Sequence, residues 1–345
     1  MHLRTYVLST YATADLRCAH NFRTMSSFLT SESERRYTIE GCEANLRVDG
    51  RSNSNYRPYI IEASPFLLCN GSSRVHLPNR STDVVCSVKA EIVHPTISRP
   101  SCGIVEVNAE FLGGATRLIG INKRRRRSEE MELSQILSTL LINALHLDKL
   151  CIVPGRYCWK LYVDVLVISC SGNAVDACSM AVYAALNSTC LPVVTPVTLA
   201  VDGPMDGTGR ATTQGKKGDD LLVDGDVMHA FTPPGAKDCP ITVTLCRLGK
   251  NMVMDCRTEE EICASAKVSV SVDTSGRICG VHKSGEGSMP FRQISEVTKM
   301  AVALSGKLFE GLLNPALSSP VEEVKCKGVT RKGNEHMLSS VIEFR

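Results

Sequence analysis

The chain has 345 residues, 43% apolar, 22% charged and 5% aromatic, with 39 Lys and Arg against 36 Asp and Glu for a net charge of +3. This is the composition of a folded chain of about two domains, and it excludes disorder throughout. No run approaches the roughly 18 apolar residues of a membrane span, the best candidates being broken by Asp164 or by Pro192 and Pro196.

The charge is local. Residues 117–130 hold Arg117, Lys123, Arg124, Arg125, Arg126 and Arg127 against only Glu129 and Glu130, which leaves the rest of the chain slightly acidic. A polyanion would therefore be met at one restricted patch. Sixteen cysteines are too sparse for a disulfide scaffold, and Cys86, Cys170, Cys178, Cys246 and Cys263 lie inside apolar runs. Free buried thiols in a reducing compartment are expected. With no C-x-x-C and no close Cys/His grouping, no metal site is expected, and the sequons at Asn70, Asn79 and Asn187 read as chance matches.

Residues 1–34 are expected to be a disordered extension, its first 30 residues loosely imitating a mitochondrial presequence. Strands are predicted over 56–69, 82–93 and 103–112. Leu133, Ile136, Leu137, Leu140, Leu141, Ala144 and Leu145 follow the helical template without a miss, with Ser128 as the expected N-cap. Residues 161–168 are apolar except at Asp164, as in a central strand covered on both faces, which makes Asp164 a buried structural acid. A short Ser-Gly-Asn link leads into an Ala-rich helix over 174–187. Residues 199–237, rich in Gly, Asp and Lys, read as a flexible loop between two halves, 35–198 and 238–313. Strands follow at 240–247, 252–255 and 267–272, then a helix over 290–313 with Ile294, Val297, Ala301, Leu304, Leu308 and Leu312 on one face, then a polar tail over 314–345. The fold class is mixed α and β.

Two nucleotide- or metal-like phrases fail on spacing or chemistry, and the common hydrolase motifs are missing. Gly209–Lys216 has five residues where a phosphate loop needs four, Asp220–Asp226 has Leu222 where calcium needs oxygen, and no G-x-S-x-G or H-E-x-x-H occurs. What stands out is a set of phrases in order: Arg47-Val-Asp-Gly-Arg51, Gly71-Ser-Ser-Arg-Val75, Leu150-Cys-Ile-Val-Pro-Gly-Arg-Tyr-Cys-Trp159, Leu161-Tyr-Val-Asp-Val165, Ser171-Gly-Asn-Ala-Val-Asp-Ala177 and Ala184-Ala-Leu-Asn-Ser-Thr189. Over residues 35–312 the chain resembles the RNase PH family, and within it the RNase PH-like ring subunits of the RNA exosome, of the ribosomal RNA processing protein 42 type.

The resemblance implies an α+β, RNase PH-like fold (ribosomal protein S5 domain 2-like), with two pseudo-repeated βα sandwich halves. It implies, as partners, other RNase PH-like subunits in a hetero-hexameric ring, cap subunits and single-stranded RNA, with no membrane and no cofactor. It also implies a role in rRNA maturation and mRNA turnover in nucleus, nucleolus and cytoplasm. Active family members phosphorolyse RNA 3′ ends, holding phosphate on a D-G-G-T-R-T-A turn at a helix start. Here the matching run contains Gly172, Asn173, Val175 and Asp176. Val175 replaces the arginine, and Asp176 is expected to stand where phosphate would bind and repel it. The family's carboxylate pair, six residues apart, is matched by Glu261 and Lys267, so one acid has changed sign. No catalytic residue and no metal are therefore assigned.

Lys123, Arg124, Arg125, Arg126 and Arg127 precede a helix whose dipole does not favour cations there, and the family loop at this place approaches RNA. RNA contact is the expectation, with a solvated loop and a nuclear-import signal as open alternatives. Arg47, Asp49 and Arg51 read as a local salt-bridged turn, and Glu259, Glu260 and Glu261 as a solvated helix start. The resulting reading is a non-catalytic exosome ring subunit. A phosphate-dependent 3′-to-5′ exoribonuclease whose site a neighbour completes is the alternative, and an unrelated α/β enzyme would need a cofactor fingerprint that is missing.

Overall fold

The computed structural model describes residues 30–113, 115, 123–197, 221–312 and 339–342. The expected N-terminal extension up to residue 29, the loop over 199–220 and most of the expected tail lie outside these residues. Helix α1 (Glu32–Glu43) opens with a capping box, in which the Glu34 amide donates to Ser31 Oγ at 3.2 Å and the Ser31 amide to Glu34 Oε2 at 2.8 Å. Its buried Cys42 joins Cys246, Cys256 and Cys263 in a small apolar cluster beside the main core.

The first sheet contains β1 (Tyr59–Ala63), β2 (Gly71–His76), β3 (Asp83–Val93), β4 (Ile104–Phe111), β5 (Cys151–Val153), β6 (Tyr157–Ser169) and a C-terminal β13 (Ser339–Ile342). Their order is β13-β1-β2-β3-β6-β4, with β5 on β6, and only β4 runs parallel to its neighbour. Leu161, Val163, Val165 and Val167 of β6 point inward and are fully buried, whereas Asp164 and Leu166 point outward and are exposed. The strand is central but covered on one face only, so Asp164 is a surface acid and not the buried one expected from an apolar run.

Helix α2 (Lys123–Ala144) packs Leu133, Leu137, Leu140 and Leu141 over β4. It begins five residues before the expected cap, which places Ser128 inside the helix. Arg and Lys are good helix formers, and an i,i+4 pair between Arg126 Nε and Glu130 Oε1 at 3.3 Å supports the early turn. Helix α3 (Ala174–Asn187) lies between the sheets, touching β2, β3 and β6 on one side and the second sheet on the other, and is buried from Asp176 to Leu186. Small residues make that fit. A Cβ at Gly71 would stand 2.6 Å from the Ala185 carbonyl oxygen, so β2 can approach this closely only as glycine.

Strand β8 (Leu221–Val223), paired with β7 (Val194–Pro196) just before the segment read as loop, and two 3-10 turns over 227–229 and 236–238 give regular structure to the end of that segment. The second sheet is antiparallel, in the order β10 (Asn251–Met254), β9 (Ile241–Leu248), β11 (Ala266–Val272) and β12 (Ile278–Ser284), with the one-and-a-half-turn helix α4 (Thr258–Cys263) between β10 and β11. Helix α5 (Phe291–Leu312) buries Val297, Ala301, Leu304 and Leu308 against β9 and β11, and Phe309 meets Tyr183 of α3 edge-on at 5.4 Å. One core therefore runs through both sheets and the helices between them. The segment read as a polar tail contributes β13, a strand that polarity alone gave no reason to expect.

Candidate functional site

The turn from β6 into α3 is where the two halves meet. Gly172 has φ +98°, and a Cβ there would lie 2.5 Å from the Cys256 carbonyl oxygen, so the turn presses backbone to backbone on the entry to α4. The Thr258 amide donates to the Ser171 carbonyl at 3.0 Å across this contact. Asn173, the N-cap, is left-handed at φ 58° and buried. Its Nδ2 donates to Asp176 Oδ2 at 2.8 Å and Asp255 Oδ1 at 3.0 Å.

Asp176 does not face outward to an incoming anion, as expected, but inward. Its carboxylate accepts from Tyr56 Oη (2.5 Å), Asn173 Nδ2, the Thr244 amide (2.9 Å) and Thr244 Oγ1 (2.6 Å). Four donors converging from α3, β9 and the segment before β1 draw it into the interior, where burial pushes its carboxyl up to about 6 against the opposing pull of those hydrogen bonds. It is a pin between halves. Val175 is half-buried and packs against the main core.

The helix N-terminus is nonetheless taken by a carboxylate of the chain itself. Glu261 Oε1 accepts from the Asn173 amide at 3.1 Å and from Lys267 Nζ at 2.8 Å. Sequence placed Glu261 and Lys267 together as a neutralised acid pair, and they do meet, but they also reach the phosphate-type turn. Burial would lower the Lys267 ammonium, yet Glu261 outweighs it and holds the lysine above its usual value. The acid occupies the seat an anion would need and carries its own counterion.

Behind this seat lies a buried ionic clamp with little sequence signal. Asp255 is fully buried at a left-handed φ of 44° and binds Arg57 through the backbone amide (2.9 Å), Nε (2.7 Å) and Nη2 (2.6 Å), with Arg51 Nη1 at 3.2 Å. Burial alone would raise the Asp255 carboxyl, but Arg57, with Arg51 and Asn173, holds it below the usual aspartate range. Arg57 Nη1 also donates to Ser171 Oγ at 2.9 Å, tying the clamp to the turn. Arg47 is not part of a local turn with Asp49: it is buried and forks onto Glu260, donating as well to the Met254 and Asp255 carbonyls at 2.9 Å each. Glu260 is thus a buried partner in place of a solvated first-turn residue, while Arg51 and Asp49 do pair, at 2.7 Å. The partners stand some two hundred positions apart, so no local phrase marked them.

The basic run lies on the first turns of α2. Arg126 pairs with Glu130, whose Oε1 also accepts from the Phe111 amide at 3.0 Å, and Arg127 is exposed. The side chains of Lys123, Arg124 and Arg125 lie outside the described residues. No group of three or more potential metal ligands is found among the described residues.

Two family models match the chain in order: 3′ exoribonuclease family, domain 1 (RNase PH), over residues 55–192, and domain 2 over residues 238–303. The exosome complex component Rrp42 of Sulfurisphaera tokodaii is 31% identical over 286 residues, covering 82% of this chain and 94% of its own length. A Dictyostelium discoideum relative, 26% identical over 81% of this chain and 95% of its own, bears the name of a candidate exosome complex exonuclease RRP42. Among solved structures, a chain of the Archaeoglobus fulgidus exosome with RNA bound to the active site superposes with a TM-score of 0.63 at 23% identity, covering 81% of this chain and 97% of that one. With both domain models matched in order and most of its length aligned to such relatives, this chain belongs to the RNase PH, or 3′ exoribonuclease, family.

Proposed function

We propose that the chain is a non-catalytic ring subunit of an RNA exosome, supporting 3′-to-5′ RNA processing through assembly with other RNase PH-like subunits and cap subunits. The observation that carries this reading is the Glu261 carboxylate on the Asn173 amide. A phosphate nucleophile would have to displace that carboxylate from both the helix N-terminus and Lys267. It would then find Val175 where active relatives supply an arginine. Phosphoryl transfer needs several cations or donors on a highly charged transition state. Here the nearby positive groups, Arg57 and Lys267, are already neutralised by Asp255 and Glu261.

RNA contact falls to the α2 start, where Lys123 to Arg127 precede Glu129 and Glu130. Consecutive cations at a helix N-terminus work against the dipole, so they are better explained by an external polyanion than by helix stability. The test is release of nucleoside diphosphates from labelled single-stranded RNA in phosphate buffer. The purified chain is expected to release none, and RNA crosslinks are expected at 123–127 once the ring is assembled. Release by the isolated chain, abolished by Glu261→Ala, would overturn the reading and establish a phosphorolytic enzyme. Release that needs a neighbour and is abolished by the same substitution would establish a composite site.

A further inference from the structure

Strand β13 follows α5, the last helix of the second half, yet it pairs with β1 at the border of the first sheet. Tyr59 faces Ile342, Ile60 faces Val341, Ile61 faces Ser340 and Glu62 faces Ser339. The chain thus crosses back from one half to the other, and residues 313–338 make the connection.

This seam is a short one at the border of its sheet. It holds four residue pairs, whereas β3 and β6 pair along the whole of β3, from Asp83 to Val93. Strand β1 itself reads Tyr-Ile-Ile-Glu-Ala, with Tyr59 and Ile61 fully buried. Apart from Glu62, which is buried and pairs with His76 at 3.2 Å, the strand is apolar and holds neither proline nor lysine, so its outer side can accept an extended segment. A four-residue strand at a sheet border makes few ladder bonds and can open without the rest of the sheet.

We propose that the outer side of β1 is a strand-docking edge whose occupant is this chain's own residues 339–342, acting as a detachable strap between the halves. Undocking would loosen the strand that carries Tyr59 and follows Arg57, both of which touch Asp255. The edge takes its ligand by backbone pairing, so the chemical class it accepts is an extended peptide strand.

The test uses two full-length chains, the wild type and S340P/V341P. Successive backbone amides of a strand point to opposite sides, so one of these two donates toward β1, and proline removes that donor. A fluorescein-labelled peptide spanning residues 334–345 is titrated into each. The opened variant is expected to bind it, and the wild type at least about tenfold more weakly, because the tethered strand competes at an effective concentration of about a millimolar. A peptide carrying the same two prolines should bind neither chain. Equal affinity for both chains, or no binding by the variant up to about 1 mM, overturns the proposal.

A wild-type dimer that S340P/V341P converts to monomer also overturns it, since the strand would then be exchanged between copies. Hydrogen exchange on the unmodified chain decides the matter should the variant misfold. The amides of 339–342 that face β1 must be protected, yet open faster than those of β3 and β6. Protection equal to β3, or none, counts against a detachable strap.

Discussion

Asp176 and Asp255 lie in one buried network and titrate with opposite consequences. The Asp176 carboxyl is raised to about 6 from an ordinary 3.8, so the folded chain binds that proton more readily than the unfolded chain does. Its contribution to stability, about 3 kcal/mol, is full below about pH 4 and is lost as pH rises through 6. Asp255 is held low, so its contribution is present above the ordinary aspartate range and lost only on further acidification. Urea midpoints measured from pH 4.5 to 7.5 are expected to fall with rising pH in the wild type and to flatten in Asp176→Asn. An unchanged slope in the variant would assign the titration to another group. Arg47 offers a second test, because Arg47→Ala leaves Glu260 buried without a counterion and is expected to cost about 3–5 kcal/mol in the same assay. The apolar pair Arg47→Met with Glu260→Leu should recover most of that loss. No recovery would mean that the ionic form itself is needed for the fold.

Helix α2 shows both what periodicity reveals and what it hides. Its apolar stripe from Leu133 to Leu145 was legible because burial against β4 repeats every three or four residues. Its start was not, because Lys and Arg sustain a helix without adding to the stripe, and a serine beside two acids imitates a cap. The same limit hid β12, whose residues are mostly exposed or half-buried, and β2, whose Ser72 and Ser73 are buried polar groups satisfied by the backbone of their neighbours. At the site, Gly172, Asn173, Glu261 and Lys267 were found because each lies in a local phrase. The Arg57–Asp255 and Arg47–Glu260 pairs were not, because nothing local links residues so distant in sequence. Placing the basic residues on helical turns spreads them around an axis, so only part of the run can face one strand of RNA. In the assembled ring, Arg126→Ala with Arg127→Ala is expected to weaken RNA binding and to reduce the slope of log affinity against log salt by about one to two. An unchanged slope would place both arginines off the RNA path.

The two halves are joined by more than the segment that links them in sequence. Asp176 of α3 pins Thr244 of β9, Ser179 Oγ of α3 accepts from the Thr242 amide at 3.0 Å, and Arg47 and Arg57 of the first half hold Glu260 and Asp255 of the second. The main apolar core includes Val163 and Val165 from one sheet and Val243 and Val270 from the other. A core shared in this way gives neither half a complete set of packing partners, so the halves should unfold together. A protease site inserted between residues 205 and 215 separates the covalent link from the packing. After cleavage the two pieces are expected to co-elute in gel filtration and to melt in a single calorimetric transition. Arg57→Ala in the nicked protein removes the main counterion of buried Asp255 and is expected to lower that transition by several degrees or to release the pieces, since breaking such a pair costs about 3–5 kcal/mol. If the nicked wild type separates without any substitution, the connection and not the shared core holds the halves. The buried clamp would then be a consequence of their proximity and not its cause.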